Sequence, residues 1–254
     1  MKKWIALAIV AVLMITLLAG CGAPAKKKIV VGLDDHFPPM GFRDDKNNIV
    51  GFDVDMAKEA AKRLGMEVEF KPIDWNSKEA ELNGKRIDML WNGLTITEKR
   101  KENILFSNAY MENKQIIVVA ANSPLKTKAS LAGKVVGVQD GSSSIEAVEK
   151  EAAVAKSFKE LKKYPDNVAA LMDLKAGRID ALVVDEIVGR YYIAKKAGDY
   201  AVLSENFGSE EYGVGLRKDD KDLQAKLQKA LDDMKKDGTS AKISQQWFGA
   251  NIVK

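Results

Sequence analysis

The chain has 254 residues, 46% of them hydrophobic and 30% charged, a balance that suits one or two folded domains and excludes extended disorder. Forty Lys and Arg against 36 Asp and Glu leave a formal charge of +4, too small and too interspersed with acids to mark a nucleic-acid footprint. A single Cys excludes an internal disulfide framework or a multi-cysteine metal site, and a single His, His36, gives no basis for a Ser-His-Asp triad or a histidine-rich metal centre.

At the start of the chain, Lys2 and Lys3 precede a nearly all-apolar run from Ile5 to Leu18. The run is short for a membrane span and fits the core of a signal peptide. Leu18-Ala19-Gly20-Cys21 resembles a lipobox, with the only Cys of the chain at the position that lipoprotein processing requires. Residues 1–20 are therefore expected to be a lipoprotein signal peptide, Cys21 the lipidated residue and 21–28 a tether. Two or three acyl chains would hold a soluble domain to the extracytoplasmic side of a membrane, where one would not.

Beyond the tether, strands and helices alternate. Ile29–Leu33 is a β-branched run, read as a buried strand. Asp53 to Leu64 has helical apolar spacing, with Asp53 as a candidate cap and Gly65 as a stop. Strands are expected at Val68–Phe70, Ile87–Leu90, Gln115–Ala120 and Val135–Val138. Helices are expected at Glu79–Leu82, Ile145–Ala155, Asn167–Lys175, Glu186–Ala197 and Leu223–Lys236, with a last one ending near Trp247-Phe248. Such alternation predicts an α/β architecture. Two passages recur in order: Val30-Val31-Gly32-Leu33-Asp34-Asp35 parallels Val135-Val136-Gly137-Val138-Gln139-Asp140, and Gly84-Lys85-Arg86-Ile87-Asp88 parallels Ala176-Gly177-Arg178-Ile179-Asp180. The repeat implies two similar lobes whose loops, beyond the carboxyl ends of the strands, would face one cleft.

Four loops carry chemistry. Asp34-Asp35-His36-Phe37 brings acids and an aromatic ring together after a strand; the alternative is a turn fixed by Pro38 and Pro39. Trp91-Asn92-Gly93-Leu94-Thr95-Ile96-Thr97-Glu98 offers a capping box from Thr95 to Glu98, a glycine for close backbone approach, and Arg100 for a two-pronged bond to a carboxylate. Here the alternative is that Thr95 only caps and Arg100 only pairs with a surface acid. Gln139-Asp140-Gly141-Ser142-Ser143-Ser144 opens a second helix, with Ser143 and Glu146 at capping-box spacing. Asp185 ends a strand, where it suits an ammonium group or an N-cap. With Trp75 and Trp91 added, the loops are the complement of a free α-amino acid.

These residues, together with Phe37-Pro38-Pro39-Met40-Gly41-Phe42, Gly51-Phe52-Asp53-Val54-Asp55, Gly93 to Arg100, Phe106-Ser107-Asn108-Ala109-Tyr110, Gly213-Val214-Gly215 and Trp247-Phe248-Gly249, resemble a known family over almost the whole chain after residue 20. The chain is similar to the type-2 periplasmic solute-binding proteins of polar and basic amino acid ABC importers. The resemblance implies a two-lobed periplasmic-binding-protein type II fold with two crossing hinge segments. Lobe 1 would be 27–109 and 214–254, lobe 2 115–208, and the hinges 110–114 and 209–213. It implies that Arg100 holds the ligand carboxylate, with Thr95 and the backbone of Gly93 nearby, and that Ser142 and Ser143 add donors. Asp185 would take the α-ammonium, Phe37 and Trp75 would sandwich the stem, and Asp34 would reach the side chain. Trp91-Asn92 stands where many members have small residues, which implies a narrower or aromatic-lined pocket. Gln139 stands where the glutamine-binding type has Lys.

The expected function is therefore capture of a polar amino acid by a monomer that uses no cofactor and no metal and hands its ligand to a permease and its ATPase. Asp34 and Asp35 favour arginine, then lysine or ornithine, with glutamine and cystine as alternatives. An enzyme on the same scaffold, resembling cyclohexadienyl dehydratases, is the competing expectation; no nucleophile–base pair supports it.

Overall fold

Val/Ile-rich segments can bury both faces, and here they do so in two five-stranded sheets. The computed structural model describes residues 27–254; the expected signal peptide, Cys21 and most of the tether lie outside the described residues. Lys28, read as the end of the tether, is the first residue of a strand. The first sheet runs in the order Glu67–Pro72, Lys28–Leu33, Met89–Leu90, Gly215–Arg217, Ile104–Phe106. The second runs Glu160–Tyr164, Val135–Gln139, Ala181–Asp185, Met111–Ala120, Tyr200–Tyr212. In each, the first three strands are parallel and the last two are antiparallel to their neighbours. The molecule is a two-lobed mixed α/β protein.

The repeat seen in the sequence is a repeat of structure. Lys28–Leu33 and Val135–Gln139 hold the same second place in their sheets. Asp88 accepts the N–H of Val30 (2.9 Å) and Asp180 that of Val135 (2.8 Å), each pinning its strand from the following turn. Gly32 and Gly137 are small because Ile87 and Ile179 lie against them, where a Cβ would collide.

Helices cover the sheets. Phe52–Arg63 turns Phe52, Val54, Met56, Ala57, Ala60 and Ala61 inward and packs with Lys221–Lys236 and Thr239–Phe248 on the first lobe. Ser143–Lys150, Asn167–Lys175 and Glu186–Lys195 cover the second. Between the lobes, Met111–Ala120 and Tyr200–Tyr212 pair as a ribbon with Tyr212 opposite Met111 and Glu210 opposite Asn113. Isolated bridges from Tyr212 to Thr95 and from Met111 to Val253 tie its end to the first lobe.

Several elements differ from expectation. The helix foreseen over Ile145–Ala155 breaks at Glu151 into Ser143–Lys150 and Ala152–Ser157. Asp53 is not a cap: Gly51 holds that position at φ 144°, where a Cβ would strike the carbonyl of Met40. The strands Ile104–Phe106, Glu160–Tyr164, Tyr200–Tyr212 and Gly215–Arg217, and a small sheet of His36–Phe37, Gly41–Arg43 and Ile49–Val50, lacked a local signal. Tertiary pairing makes them.

Candidate functional site

The four chemistry-bearing loops leave the carboxyl ends of parallel strands and meet across the two lobes, which are closed on one another. Gln139 Nε2 donates to Asp34 Oδ2 at 2.7 Å, Thr95 and Ser143 hydroxyls share a 2.9 Å hydrogen bond, and Arg100 Nη2 reaches the Gly141 carbonyl at 3.1 Å.

At one end lies Arg100, only 4% exposed. The helix Glu98–Lys101 is capped by Thr97, whose hydroxyl accepts the Arg100 N–H, and not by Thr95 as the spacing suggested. That shift frees the Thr95 side chain for the cleft. Arg100 Nη1 donates to the Thr95 carbonyl at 2.9 Å. Burial lowers the Arg100 pKa and Glu146 and Glu210 oppose the shift; a guanidinium stays charged there. Lys78, absent from the sequence reading, joins it. Its ammonium donates to the carbonyls of Trp75 (3.2 Å) and Gly141 (2.8 Å) and lies 5.3 Å from the Trp75 ring centre. Burial, then Arg100, lowers its pKa to about 7. The Arg100 guanidinium, with the Lys78 amine on the same carbonyl, attracts an anion, and a cavity of about 330 Å³ lined by Asn76, Lys78, Arg100, Gly141, Ser142 and Glu146 opens beside them.

At the other end lies Asp185, also 4% exposed. It occupies the N-cap position of Glu186–Lys195 yet makes no capping bond. Its Oδ1 instead accepts from Asn113 Nδ2 and from the Tyr212 hydroxyl, both at 2.6 Å. Burial, and then the charge of Glu210, push its pKa well above the usual carboxylate range. Glu210 Oε1 accepts from Asn113 Nδ2 (2.7 Å), Gln115 Nε2 (2.8 Å), Thr95 Oγ1 (2.9 Å) and Ser143 Oγ (3.3 Å). Arg100 and Asp185 are thus linked through Thr95, Glu210 and Asn113. The sequence reading missed Asn113, Gln115, Glu210 and Tyr212. Asn113 and Gln115 take the buried phase of an alternating strand start, a pattern that was present to be read.

Asp34 forms a third point. It is buried, takes the His36 N–H at 2.9 Å besides Gln139, and has its pKa raised chiefly by burial. Asp35 turns away to Arg43 and His36. Phe37 packs against Gly93 and Trp75 is buried over Lys78. Among the described residues, ligand atoms of Asp34, Asp35 and His36 fall within 4.8 Å of one another. Asp34 is bonded to Gln139 and to the His36 main chain, and Asp35 to Arg43.

Three expected contacts are corrected. Trp91 is not a cleft wall: its ring lies in the first lobe's core beside Ala57, Leu227 and Tyr110. The Gly93 N–H is already given to Asp53 Oδ2 at 2.7 Å, leaving none for a ligand. Ser142 donates its hydroxyl back to the Gln139 carbonyl at 2.7 Å, whereas Ser143 does face across the lobes. The motif passages outside the four loops prove mostly architectural. Asp55 accepts the Trp247 indole N–H, and Gly213 and Gly215 give room to Ile96 and Leu94.

The chain is similar to known proteins over most of its length. Residues 29–250 match the family model of bacterial extracellular solute-binding proteins, family 3. The L-cystine-binding protein TcyJ of Escherichia coli (strain K12) is 36% identical over 228 residues, spanning 89% of this chain and 84% of that protein. The arginine-binding extracellular protein ArtP of Bacillus subtilis (strain 168) is 33% identical and spans 98% of both chains. The crystal structure of an ABC uptake transporter substrate binding protein from Streptococcus pneumoniae with bound histidine superposes with a TM-score of 0.86 at 38% identity, covering 89% of this chain and 94% of that one.

Proposed function

Because the chain belongs to family 3 of the bacterial extracellular solute-binding proteins, we propose that its cleft captures a free amino acid with a cationic side chain, arginine before lysine or ornithine, and delivers it to an ABC permease and its ATPase. The observation that carries this reading is charge of opposite sign at the two ends of one buried network: Arg100 with Lys78 at one, Asp185 with Glu210 at the other. A zwitterion taken from water must have both charges paired, or its desolvation forbids binding. The three relatives named above carry cystine, arginine and histidine in their descriptions, so the family alone leaves the side chain open. Asp34 supports a cation. It is a buried carboxylate whose side-chain partner from the other lobe is an amide, not a base.

In this reading the ligand first meets Arg100, Phe37 and Trp75 on lobe 1; lobe 2 then closes with Asp185 and Ser143. Ligand favours closure only through contacts made better in the closed form. The hinges are residues 110–114 and 209–213, between a lobe of 27–109 with 214–254 and one of 115–208. A lipid on Cys21 anchors the monomer on the extracytoplasmic side. The family consists of solute-binding proteins rather than enzymes, and the dehydratase alternative is not retained.

Arg100→Ala and Asp185→Ala should each weaken arginine binding by about 3–5 kcal/mol, as expected for truncating one member of a buried charge pair. Calorimetry showing near wild-type affinity in both variants would refute the cleft. A thermal-shift panel of amino acids tests the side chain: strong stabilisation by a neutral amino acid and none by arginine removes the cationic preference.

A further inference from the structure

We infer that Glu210, held by Asn113 opposite it in the ribbon that joins the lobes, binds the α-ammonium of the ligand together with Asp185. The inference rests on the amino-acid reading of the cleft and adds two residues from a part of the chain to which sequence reasoning gave only a hinge role.

Asn113 and Glu210 stand opposite one another in strand register. Asn113 Nδ2 donates both to Asp185 Oδ1 at 2.6 Å and to Glu210 Oε1 at 2.7 Å. Two carboxylates fix the amide with its nitrogen toward them, because the reverse orientation would set its oxygen against two anions. The Asn113 carbonyl oxygen is consequently buried with no donor. Asp185 and Glu210 therefore stand side by side on one amide, two neighbouring carboxylates whose side-chain donors are all neutral. Such a set calls for a compact positive group with several N–H bonds. An alkylammonium has three. A hydroxyl brings one donor and no charge, and a carboxylate brings only repulsion.

The same Glu210 oxygen accepts from Thr95 of lobe 1 and from Gln115 and Ser143 on the lobe 2 side. An ammonium held there touches the segment about which the lobes turn, so occupancy and closure are read by one carboxylate.

The charged and titratable groups facing the pair are Arg100 from Glu98–Lys101 and Tyr212 at the lobe 1 end of the ribbon. Arg100 directs its guanidinium to the carbonyls of Thr95 and Gly141 and not to either acid. Burial, and then the charge of Glu210, favour a proton on Asp185 in the closed cleft. An arriving ammonium takes the place of that proton. Binding then releases it, and affinity rises with pH across the range in which Asp185 titrates.

The test is titration calorimetry of the full extracytoplasmic chain with L-arginine and L-glutamine, in buffers of different ionisation enthalpy, for wild type, Glu210→Gln and Asp185→Asn. Expected for Glu210→Gln are retention of fold by circular dichroism, at least tenfold weaker binding of both amino acids, and loss of most of the proton release. Affinity within twofold of wild type, or weaker binding with unchanged proton release, overturns the inference and leaves Glu210 a hinge residue only. Should Glu210→Gln not fold, Asn113→Ser is read the same way, with at least fivefold weaker binding expected and wild-type affinity overturning the proposal. Wild-type affinity in Asp185→Asn marks a separate failure, that of the underlying reading of the cleft.

Discussion

Asp53 has no solvent contact, and one of its oxygens holds two donors at once: the Gly93 N–H at 2.7 Å and the Tyr110 hydroxyl at 2.9 Å. Its other oxygen and the Trp91 indole N–H both lack a partner at hydrogen-bonding geometry. Burial outweighs these bonds and raises its pKa from 3.8 to about 7. The folded protein thus binds a proton that the unfolded chain has already released, so stability falls as pH rises from about 4 to about 7. A rise of that size sets an upper bound of about 4 kcal/mol on the loss, before relaxation reduces it. In Asp53→Asn, a single amide oxygen can accept both donors and nothing there titrates. We expect melting temperature to fall between pH 4 and 7 in wild type, and to fall less steeply in the variant, where Asp34 and Asp185 keep their own raised values. An unchanged slope would place the proton elsewhere.

The loop between Val135–Gln139 and Ser143–Lys150 was legible because its residues carry their role locally: Gly141 at φ 69°, then small hydroxyl residues at a helix start. Arg100, Asp185, Asp34 and Ser143 were readable for the same reason, since each sits at a strand end or helix start that its own sequence announces. Glu210 and Asn113 were not. They meet only because two strands separated by most of the second lobe pair in one particular register. Thr95 was misread as a cap because Thr97 offers the same chemistry two residues on, and Trp91 because strand parity next to a turn is ambiguous. Gly141 also bears on closure. A Cβ there would stand 2.8 Å from the Asn76 backbone of the facing lobe, a clash met only when the lobes are closed. Gly141→Ala should therefore leave each lobe folded yet weaken ligand binding about tenfold or more, given that 1.4 kcal/mol is a factor of ten. Small-angle scattering should show less ligand-induced compaction than in wild type; full compaction with unaltered affinity would contradict a closure role.

The two lobes repeat one design, and the repeat was visible in short passages because the same two jobs recur: a glycine that admits an isoleucine, and an aspartate that ties the neighbouring strand. Asp88 serves the first lobe and adds a bond to Arg217 at 3.0 Å; Asp180 serves the second, within 3.8 Å of Lys134. Val68–Phe70, Ile87–Leu90 and Gln115–Ala120 were legible as strands too, whereas Ile104–Phe106, Glu160–Tyr164, Tyr200–Tyr212 and Gly215–Arg217 are short or polar-rich and are made by pairing rather than by a local pattern. Each aspartate closes a main-chain bond of its own sheet, with no residue in common. Asp88→Ala and Asp180→Ala should each cost about 1–3 kcal/mol through the unpaired strand N–H. Because the sites share no partner, the costs should add to within about 0.5 kcal/mol in the double variant. Urea unfolding followed by circular dichroism checks both points. A double variant no less stable than either single one would mean that one of the two tethers contributes nothing, and that the pseudo-repeat is one of shape but not of energetics.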